Sequence, residues 1–318
     1  MAFHSGFVCI VGRPNAGKST LLNALAGEKL AIVSPKPQTT RARVLGVIHV
    51  PKQKGQAGAQ VVLIDTPGVH RPDSSLGRKM MSEVREALDG CDLLLVIEDA
   101  ARKSVPAERF LLDLVKGTKT PAFLLLNKVD LLRTEKRKLL PLIEQHAKLH
   151  DFQEIIPISA RKGEGLDVLL EKIILALPEG PHYFPVDQIT DQPARFMAAE
   201  LIREQVLLET SEEVPHSTTV VIEQFEEGAR LTRIAAAIYC EREGQKRILI
   251  GRQGQMLKKI GTAARLQMER MLGIKVFLEL FVKVRPNWRE SRVFVQELDW
   301  RWQLENLVSV HGEPKQPD

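Results

Sequence analysis

The chain has 318 residues, a length that accommodates two or three domains. Apolar residues make up 44% and charged residues 27%, a balance typical of folded globular proteins, which excludes a disordered or fibrous chain. The apolar runs are of strand length, far short of the roughly 20 residues that span a bilayer, and the N-terminus lacks a signal-peptide pattern. Cys9, Cys91 and Cys240 stand singly without metal-ligand spacing, which favours buried thiols in a reducing compartment.

The net charge of +5 is unevenly distributed. Residues 229–292 contain 15 Lys/Arg and 5 Asp/Glu, a local excess of +10, so the rest of the chain carries −5. A basic region of this kind points to nucleic acid or an anionic membrane surface as a partner.

From residue 7 to about residue 177, strand-like and helix-like segments alternate. This pattern predicts a mostly parallel six-stranded sheet with helices on both faces. The predicted strands are 7–11, 44–50, 61–65, 92–98, 122–127 and 154–159, and the predicted helices are 18–25, 76–88, 106–115, 135–150 and 166–176. The second and third strands would form a hairpin around the loop 51–60, which gives the sheet one antiparallel edge strand.

A cluster of prolines and glycine at 178–193 then indicates a linker. Beyond it we predict a helix at 196–208, paired strands at 218–225 and 234–241, a short apolar run at 247–250, a helix at 255–271 and a strand at 276–284. The predicted domains are therefore 1–177 and 194–292, with the linker 178–193 between them. Residues 293–318 would form a C-terminal helix and tail, disordered over 312–318.

The first motif lies between the first strand and the first helix. It reads G-R-P-N-A-G-K-S and fits the phosphate-binding pattern G-x-x-x-x-G-K-S/T. Glycines let backbone N–H groups surround phosphates, Lys18 would reach the β- and γ-phosphates, and the Ser19 hydroxyl would bind magnesium. The predicted phosphate-binding residues are Gly12, Arg13, Pro14, Asn15, Ala16, Gly17, Lys18, Ser19 and Thr20. The alternative, a turn that binds nothing, is disfavoured by this context.

Two further motifs belong to the same phosphate end of the site. Asp65-Thr-Pro-Gly68 ends a strand, so Asp65 can hold magnesium through water and the Gly68 N–H can touch the γ-phosphate. In the loop Gln38-Thr39-Thr40-Arg41, Thr40 is preferred to Thr39 as a second magnesium hydroxyl that binds only when the γ-phosphate is present, which would make the loop a switch. Turn capping and surface hydrogen bonds are the alternative roles. The predicted catalytic residues are Lys18, Thr40 and Gly68, and the predicted magnesium ligands are Ser19, Thr40 and Asp65.

The base-recognition motifs follow two later strands. In Asn127-Lys128-Val-Asp130, the Asp130 carboxylate can accept hydrogen bonds from the N1–H and the 2-amino group of guanine. Adenine lacks this pair of donors, so the site should reject ATP. Ser159 and Ala160 would complete the guanine pocket at the carboxyl ends of the strands, where α/β sheets bind ligands.

The residue after Asp-Thr-Pro-Gly is Val69, where Ras-like enzymes carry the glutamine that orients the attacking water. Hydrolysis should therefore be slow unless a cation, another part of the chain or a partner assists. In GTPases that resemble translation factors, an asparagine at the position of Asn15 can help to bind potassium. A plain loop-stabilising role for Asn15 is the alternative.

The second half contains I-L-I-G-R-Q-G-Q-M-L-K-K-I-G at 248–261. Two glycines three residues apart, between an apolar run and an amphipathic helix, are typical of a KH domain, whose loop clamps about four nucleotides of single-stranded backbone. The surrounding basic region would add affinity through counterion release. A helix-capping turn is the alternative. The predicted RNA-binding residues are Gly251, Arg252, Gln253, Gly254, Lys258 and Lys259.

Taken together, these motifs and the proline-rich linker resemble the Era family of bacterial ribosome-associated GTPases over nearly the full chain. The resemblance implies an α/β P-loop GTPase domain followed by an α+β type II KH domain, in a monomer that uses Mg²⁺ and GTP or GDP, with K⁺ as a further candidate cofactor. It also implies a cytoplasmic role in maturation of the small ribosomal subunit, with binding to single-stranded RNA near the 3′ end of its ribosomal RNA. Peripheral contact with the inner face of the membrane belongs to the same resemblance. For that contact the sequence adds only a basic surface and three tryptophans that suit core or cap positions, Trp288, Trp300 and Trp302.

Two other functions are compatible with the motifs. One is a membrane-surface or cell-cycle signalling GTPase whose C-terminal domain is a protein adaptor. The other is a binding module in which the nucleotide is only structural.

Overall fold

A computed structural model describes residues 3–52, 58–102, 107–132, 139–211 and 213–303. The chain folds as two compact units. The first contains the described residues up to Arg71 and from Met80 to Gln192, and the second contains Pro72–Lys79 and the described residues from Pro193 onward. Predictions for part of the loop 51–60, for residues 106 and 135–138 of two helices and for the tail 312–318 lie outside the described residues.

The first unit is built on a six-stranded sheet. Its strands are β1 (His4–Gly12), β2 (Val44–Val50), β3 (Ala59–Asp65), β4 (Leu93–Asp99), β5 (Ala122–Asn127) and β6 (Glu154–Pro157). Its helices are α1 (Lys18–Ala26), α2 (Ser75–Asp89), α3 (Ala107–Lys116), α4 (Leu139–Ala147) and α5 (Leu166–Ala176), of which α2 begins within the second unit. The strand order is β2-β3-β1-β4-β5-β6, and β2 alone pairs antiparallel, with β3. The predicted sheet and its antiparallel edge strand are confirmed.

Both faces of this sheet are covered, because successive residues of each central strand point to opposite sides. Val8 and Ile10 of β1 pack in the core beneath α1 and α5, whereas Cys9 and Val11 pack in the core beneath α2 and α3. The central strands therefore form continuous apolar runs, and their polar ends are concentrated at one edge of the sheet.

The proline-rich segment after α5 follows the outer edge of the first unit. Ile189 accepts a hydrogen bond from the Val47 N–H at 2.9 Å, and the Thr190 hydroxyl donates to the Leu45 carbonyl at 2.7 Å. The fully buried Gln60 accepts from the backbone N–H groups of Tyr183 and Phe184 at 2.6 and 3.0 Å. The segment up to Gln192 is thus bonded along β2 and belongs to the first unit.

The second unit contains a three-stranded sheet. Its helices are α6 (Ala194–Glu209), α7 (Glu243–Ile250), α8 (Gln255–Leu272) and α9 (Arg292–Glu297), and its strands are β7 (Thr219–Glu226), β8 (Leu231–Cys240) and β9 (Lys275–Val284). The strand order is β7-β8-β9, with β7 antiparallel and β9 parallel to β8. Trp288 is fully buried here and donates its indole N–H to the Ser217 carbonyl at 2.8 Å, in accordance with a core role.

One element of this unit differs from the sequence-based expectation. The apolar run 247–250 is the last turn of helix α7, so the order is helix–strand–strand–helix–helix–strand, with one helix more than predicted. The start of α7 is stabilised by the Gln245 side-chain oxygen, which accepts hydrogen bonds from the backbone N–H groups of Glu241 and Arg242 at 2.9 and 3.1 Å. The capping residues lie before the four-residue apolar run, so the run by itself did not indicate a helix.

Cys9 and Cys240 are buried free thiols, and Cys91 is half-buried. The described helices include none that is both long and apolar enough to cross a membrane.

Candidate nucleotide and nucleic-acid sites

The phosphate loop occupies the turn between β1 and α1. Gly17 has a left-handed φ of 106°, and a Cβ atom there would lie 2.2 Å from Nδ2 of Asn127. A Cβ atom on Gly12 would lie 2.5 Å from the Ile97 carbonyl oxygen, so both positions require glycine. α1 has no side-chain cap, which leaves its first-turn N–H groups open to an anion.

Lys18 is the buried cation of this loop. Its ammonium donates to the carbonyl oxygens of Gly12 at 3.1 Å and Arg13 at 3.0 Å. Burial lowers the pKa of Lys18 to about 8, against the opposing effect of Asp65. The side chain therefore stays mostly protonated at neutral pH and is held at the mouth of the loop.

Three oxygen-bearing side chains converge beside Lys18. The Ser19 hydroxyl donates to Oδ2 of Asp65 at 2.6 Å and lies 2.8 Å from the Thr40 hydroxyl, which donates to the same Oδ2 at 3.3 Å. The Thr39 hydroxyl instead donates to the Lys36 carbonyl at 2.7 Å. The structure thus brings together the three predicted magnesium ligands and places Thr39 apart from them.

This cluster fits magnesium, which prefers oxygen ligands. Burial raises the pKa of Asp65 to about 6, partly offset by Lys18 and by the Ser19 hydroxyl. Among the described residues no hydrogen-bond partner reaches Oδ1 of Asp65, although that atom is buried. A divalent cation would satisfy this carboxylate and remove the cost of burying its charge.

The base-recognition motifs are joined to the phosphate loop by one side chain. Asn127 donates through Nδ2 to the Ala16 carbonyl at 2.8 Å and accepts through Oδ1 from the Ala160 N–H at 2.9 Å. The Ser159 hydroxyl donates to Oδ1 of Asp130 at 2.7 Å, which orients that carboxylate. Three motifs that are far apart in sequence therefore form one wall.

Lys128 makes a second connection. Its ammonium donates to the Asn15 carbonyl oxygen at 2.7 Å and pairs with Asp99 at 2.8 Å. The amide nitrogen of Asn15 donates to the Pro35 carbonyl at 2.7 Å, so this side chain ties the phosphate loop to the switch loop. The structure places Asn15 where the loop-stabilising role operates.

These groups border one cleft of about 560 Å³, large enough for a nucleotide. The predicted residues that line it are Pro14, Asn15, Gly17, Lys18, Ser19, Thr20, Thr40, Gly68, Asn127, Lys128 and Asp130. The predicted residues that do not line the cleft are each bonded to a group described above, and they are Gly12, Arg13, Ala16, Asp65, Ser159 and Ala160.

A second candidate site is the loop between α7 and α8. Gly251 has φ 72° and ψ 178°, and a Cβ atom there would lie 2.6 Å from Cβ of Met256. Gly254 has φ 77° and open space around it, and it starts α8 without a side-chain cap. Arg252 and Gln253 are exposed at the tip. The loop is a compact turn that a phosphate can approach closely.

The two predicted lysines of α8 have different surroundings. Lys258 and Lys259 are both exposed, but Lys259 forms an ion pair with Glu209 of α6. An incoming phosphate must therefore compete with a carboxylate of the protein for Lys259.

Comparison with known proteins resolves which family this combination represents. The family model "50S ribosome-binding GTPase" matches residues 7–128, and the model "KH domain" matches residues 213–289. GTPase Era of Ruminiclostridium cellulolyticum is 47% identical over 302 residues, which cover 95% of this chain and 99% of the relative. GTPase Era of Geobacter metallireducens is 49% identical over 300 residues, which cover 94% and 98%. The chain belongs to the Era family of GTPases.

Solved structures agree with this assignment. Aquifex aeolicus Era bound to GDP and aluminium fluoride matches with a TM-score of 0.88 and 42% identity, over 93% of this chain and 99% of that chain. Era in complex with a magnesium-bound GTP analogue and nucleotides 1506–1542 of 16S ribosomal RNA matches with a TM-score of 0.88 and 41% identity, over 94% and 99%. As an Era-family enzyme, the chain hydrolyses GTP through its P-loop domain and carries a C-terminal KH domain.

The Era-family site lacks a water-orienting side chain at residue 69. Val69 is 2% exposed and packs in the core with Met81 and Val84, while its N–H donates to the Gly12 carbonyl at 3.0 Å. Its side chain faces away from the cleft. Because the Val69 side chain is buried in the core, it cannot position the attacking water, as the sequence predicted.

Sequence reasoning missed several residues that line the Era-family cleft. Leu131 is 58% exposed beside Asp130, and Arg102 and Arg161 line the same end. Leu131 and Arg161 directly follow the base motifs, a signal that could have found them. Arg102 had no such signal, because only the fold brings its loop to the cleft.

Proposed function

We propose that this Era-family GTPase couples its nucleotide state to the binding of single-stranded RNA near the 3′ end of small-subunit ribosomal RNA, in maturation of the small subunit. The observation that carries the proposal is the combination, in one chain, of a guanine-nucleotide cleft and a Gly251–Gly254 loop at the start of an uncapped helix. An Era relative bound to 16S ribosomal RNA supports the choice of RNA, since 16S RNA belongs to the small subunit. The matched family description refers to the large subunit, but it covers only residues 7–128 and not the KH domain.

In the proposed nucleotide cycle, Ser19, Thr40 and Asp65 hold Mg²⁺, which when bound neutralises charge on the β- and γ-phosphates. Lys18 places its ammonium against the same phosphates, and the Gly68 N–H contacts the γ-phosphate. Thr40 lies on the switch loop, so its contact reports whether the γ-phosphate is present.

In the proposed base pocket, Asp130 accepts from guanine N1–H and the 2-amino group, while Ser159 and Ala160 close the pocket. Asn127 and Lys128 hold the pocket against the phosphate loop. Guanine selection then rests on a carboxylate already oriented by the Ser159 hydroxyl.

Hydrolysis in this proposal is slow, because the position that follows Gly68 is occupied by a core valine. The stimulating element would be a cation, another part of the chain or a partner, and Asn15 is the candidate ligand for a potassium ion. Replacement of K⁺ by Na⁺ at equal ionic strength should lower turnover if Asn15 has this role, and an Asn15→Ala variant should abolish the difference.

The RNA contact uses Gly251, Arg252, Gln253, Gly254, Lys258 and Lys259. We propose a cytoplasmic location, because the RNA ligand is cytoplasmic, and a monomeric state. The proposed domains are 1–177 and 194–292, and the linker 178–193 between them bonds along β2 of the first unit up to Gln192. Peripheral contact with the inner membrane face stays a prediction.

The test measures affinity for a labelled single strand of about 12 nucleotides from the 3′ end of the small-subunit RNA, longer than the roughly four nucleotides that a KH loop clamps. We expect tighter binding with a non-hydrolysable GTP analogue than with GDP, and collapse of binding in the double variant Gly251→Asp and Gly254→Asp. Lys18→Ala should lose multiple turnover. A nucleotide effect below about twofold refutes the coupling, and RNA binding that survives the double variant favours the protein-adaptor function.

A further inference from the structure

The cations that border the nucleotide cleft differ in how firmly they are bonded into its wall. Among the described residues they are Lys18, Lys128, Arg102 and Arg161. Lys18 and Lys128 both donate to carbonyl oxygens of the phosphate loop, so their ammonium groups are held in place. Arg161 directly follows the guanine motif Ser159-Ala160. Arg102 belongs to no nucleotide motif, and its side chain is 62% exposed.

The turn that carries Arg102 is nevertheless well fixed. The Ala100 N–H donates to the Asn127 carbonyl at 2.9 Å, which fastens the turn to the strand end that carries the base motif. Within the turn, Asp99 accepts from the Ala101 N–H through Oδ1 and from the Arg102 N–H through its carbonyl, both at 3.1 Å. The backbone of Arg102 is therefore positioned at the cleft, while its side chain extends from an exposed site.

The Arg102 guanidinium shares its carboxylate with a closer cation. Oδ2 of Asp99 lies 2.8 Å from Nζ of Lys128 and 3.8 Å from Nε of Arg102, and only the first distance is that of a hydrogen bond. The next carboxylate, Glu98, is buried, with Oε2 3.2 Å from Nε2 of His146. Within the part of the chain that the structure describes, Arg102 thus keeps its N–H donors for another acceptor.

Arg102 stands where the base end of the cleft meets the phosphate loop. Besides the cleft, it borders a small cavity of about 30 Å³ that is lined by the loop residues Arg13, Pro14, Asn15 and Ala16. The Lys18 ammonium donates to the Arg13 carbonyl in the same stretch, at 3.0 Å. Two cations therefore flank one stretch of the loop, Lys18 from the buried side and Arg102 from the exposed rim.

This position fits one group of the nucleotide best. A guanidinium fork matches the geometry of phosphate oxygens, and its bonds to a charged phosphate are stronger than bonds to the neutral oxygens of a ribose. Lys18 reaches the β- and γ-phosphates, whereas Arg102 approaches from the base end. The β-phosphate lies between the two in the order of the nucleotide, so it is the group that both cations can share.

We propose that Arg102 is a further nucleotide-binding residue, which leaves Asp99 and donates two N–H groups to the β-phosphate of GDP or GTP. Lys128 stays on Asp99 when Arg102 leaves, so the carboxylate keeps a partner. This inference rests on the nucleotide cleft of the Era-family GTPase and not on the proposed RNA contact.

The test compares the affinities of the full-length protein for GMP, GDP and a non-hydrolysable GTP analogue, in the presence of Mg²⁺. Competition against a fluorescent guanine nucleotide measures all three. In Arg102→Ala, affinities for GDP and the GTP analogue should fall about tenfold, because a charge-assisted fork is lost. Affinity for GMP, which has no β-phosphate, should stay within about twofold, the size of an exposed charge effect. Arg102→Lys keeps the charge without the fork, so its losses should be smaller.

Arg85→Ala is the matched control, because it removes an equal charge from an exposed position of the first unit that does not line the cleft. Its three affinities should stay within about twofold of those of the unchanged protein. Unchanged affinities for GDP and the GTP analogue in Arg102→Ala overturn the inference and leave the arginine on Asp99. An equal loss for GMP, GDP and the GTP analogue also overturns it, because the lost contact would then not involve the β-phosphate. No RNA is present, so neither result bears on the proposed RNA function.

Discussion

The nucleotide cleft and the RNA loop recognise phosphates in opposite ways. Lys18, Asp65 and Asn127 are 6%, 0% and 2% exposed, and each has a defined hydrogen-bond partner. The RNA loop presents exposed Arg252, exposed Lys258 and a backbone turn. Buried, oriented groups select one ligand, whereas exposed cations bind a polyanion with little dependence on its sequence. Added salt should therefore weaken RNA binding much more than GTP binding.

The largest expected effect concerns base selection in the buried site. Asp130→Asn replaces one acceptor oxygen by an amide N–H₂ that opposes the guanine N–H groups. GTP affinity should fall by about 10³-fold or more, because an unmatched buried polar group is strongly penalised. Xanthosine triphosphate, which has an acceptor at that position, should bind the variant better than GTP does. Titration with fluorescent nucleotides measures both affinities, and a GTP affinity within tenfold of the original would break the comparison.

A second prediction concerns the buried charge of Asp65. The raised pKa of about 6, against an ordinary value of 3.8, means that the folded protein binds this proton more tightly than the unfolded chain does. The free energy of unfolding of the nucleotide-free protein should therefore fall as pH rises from about 4 to about 6. Above about pH 6 the contribution of Asp65 should be constant. Removal of the charge in Asp65→Asn should eliminate a penalty of about 2–3 kcal/mol at pH 7.

Denaturant unfolding between pH 4 and 7 tests this prediction. The free energy of unfolding of Asp65→Asn, relative to the unchanged protein, should grow across that interval and then level off. Asp89→Asn provides the control, since it removes one carboxylate from an exposed position and leaves the buried charge of Asp65 in place. If the difference in free energy of unfolding between Asp65→Asn and the unchanged protein does not change with pH, the buried charge of Asp65 does not lower stability.

A third prediction separates two glycines of the exposed region. Gly251→Ala should lower RNA affinity about tenfold or more, because its Cβ atom would meet Met256 at 2.6 Å and its backbone conformation is accessible mainly to glycine. The Cβ atom of Gly254→Ala would meet open space, so this variant should pay only the conformational strain of a left-handed residue, about 1–2 kcal/mol. Its loss of RNA affinity should therefore be smaller than that of Gly251→Ala. Filter binding of the labelled single-stranded RNA distinguishes the two variants. Equal losses of RNA affinity in the two variants would mean that the close approach at Gly251 does not matter. GTP affinity is the control and should change in neither variant.

The smallest effect concerns Lys259. Glu209→Gln releases this lysine from its ion pair and should raise RNA affinity about twofold at low salt, with the gain lost at high salt. Glu227→Gln removes an equal charge from an exposed position of the same unit and measures the general effect of charge. Equal gains in the two variants would show that Lys259 is not masked by Glu209.

The sequence alone determined the parts of this protein that depend on short backbone patterns. Alternating apolar strands with helices predicted the six-stranded sheet, and the motifs at Gly12–Ser19, Asp65, Asn127 and Gly251–Gly254 predicted both candidate sites. Such patterns are readable because a glycine turn or a strand end is set by residues next to it in the chain.

Only the tertiary structure decided which side chains meet. Asn127 reaches Ala16 across 111 residues, Thr40 rather than Thr39 joins Ser19, and the proline-rich segment bonds along β2. Helix α7, the burial of Val69 and the position of Arg102 beside the cleft likewise depend on what packs against each element. These outcomes are fixed by long-range burial and hydrogen-bond pairing, so no local pattern specifies them.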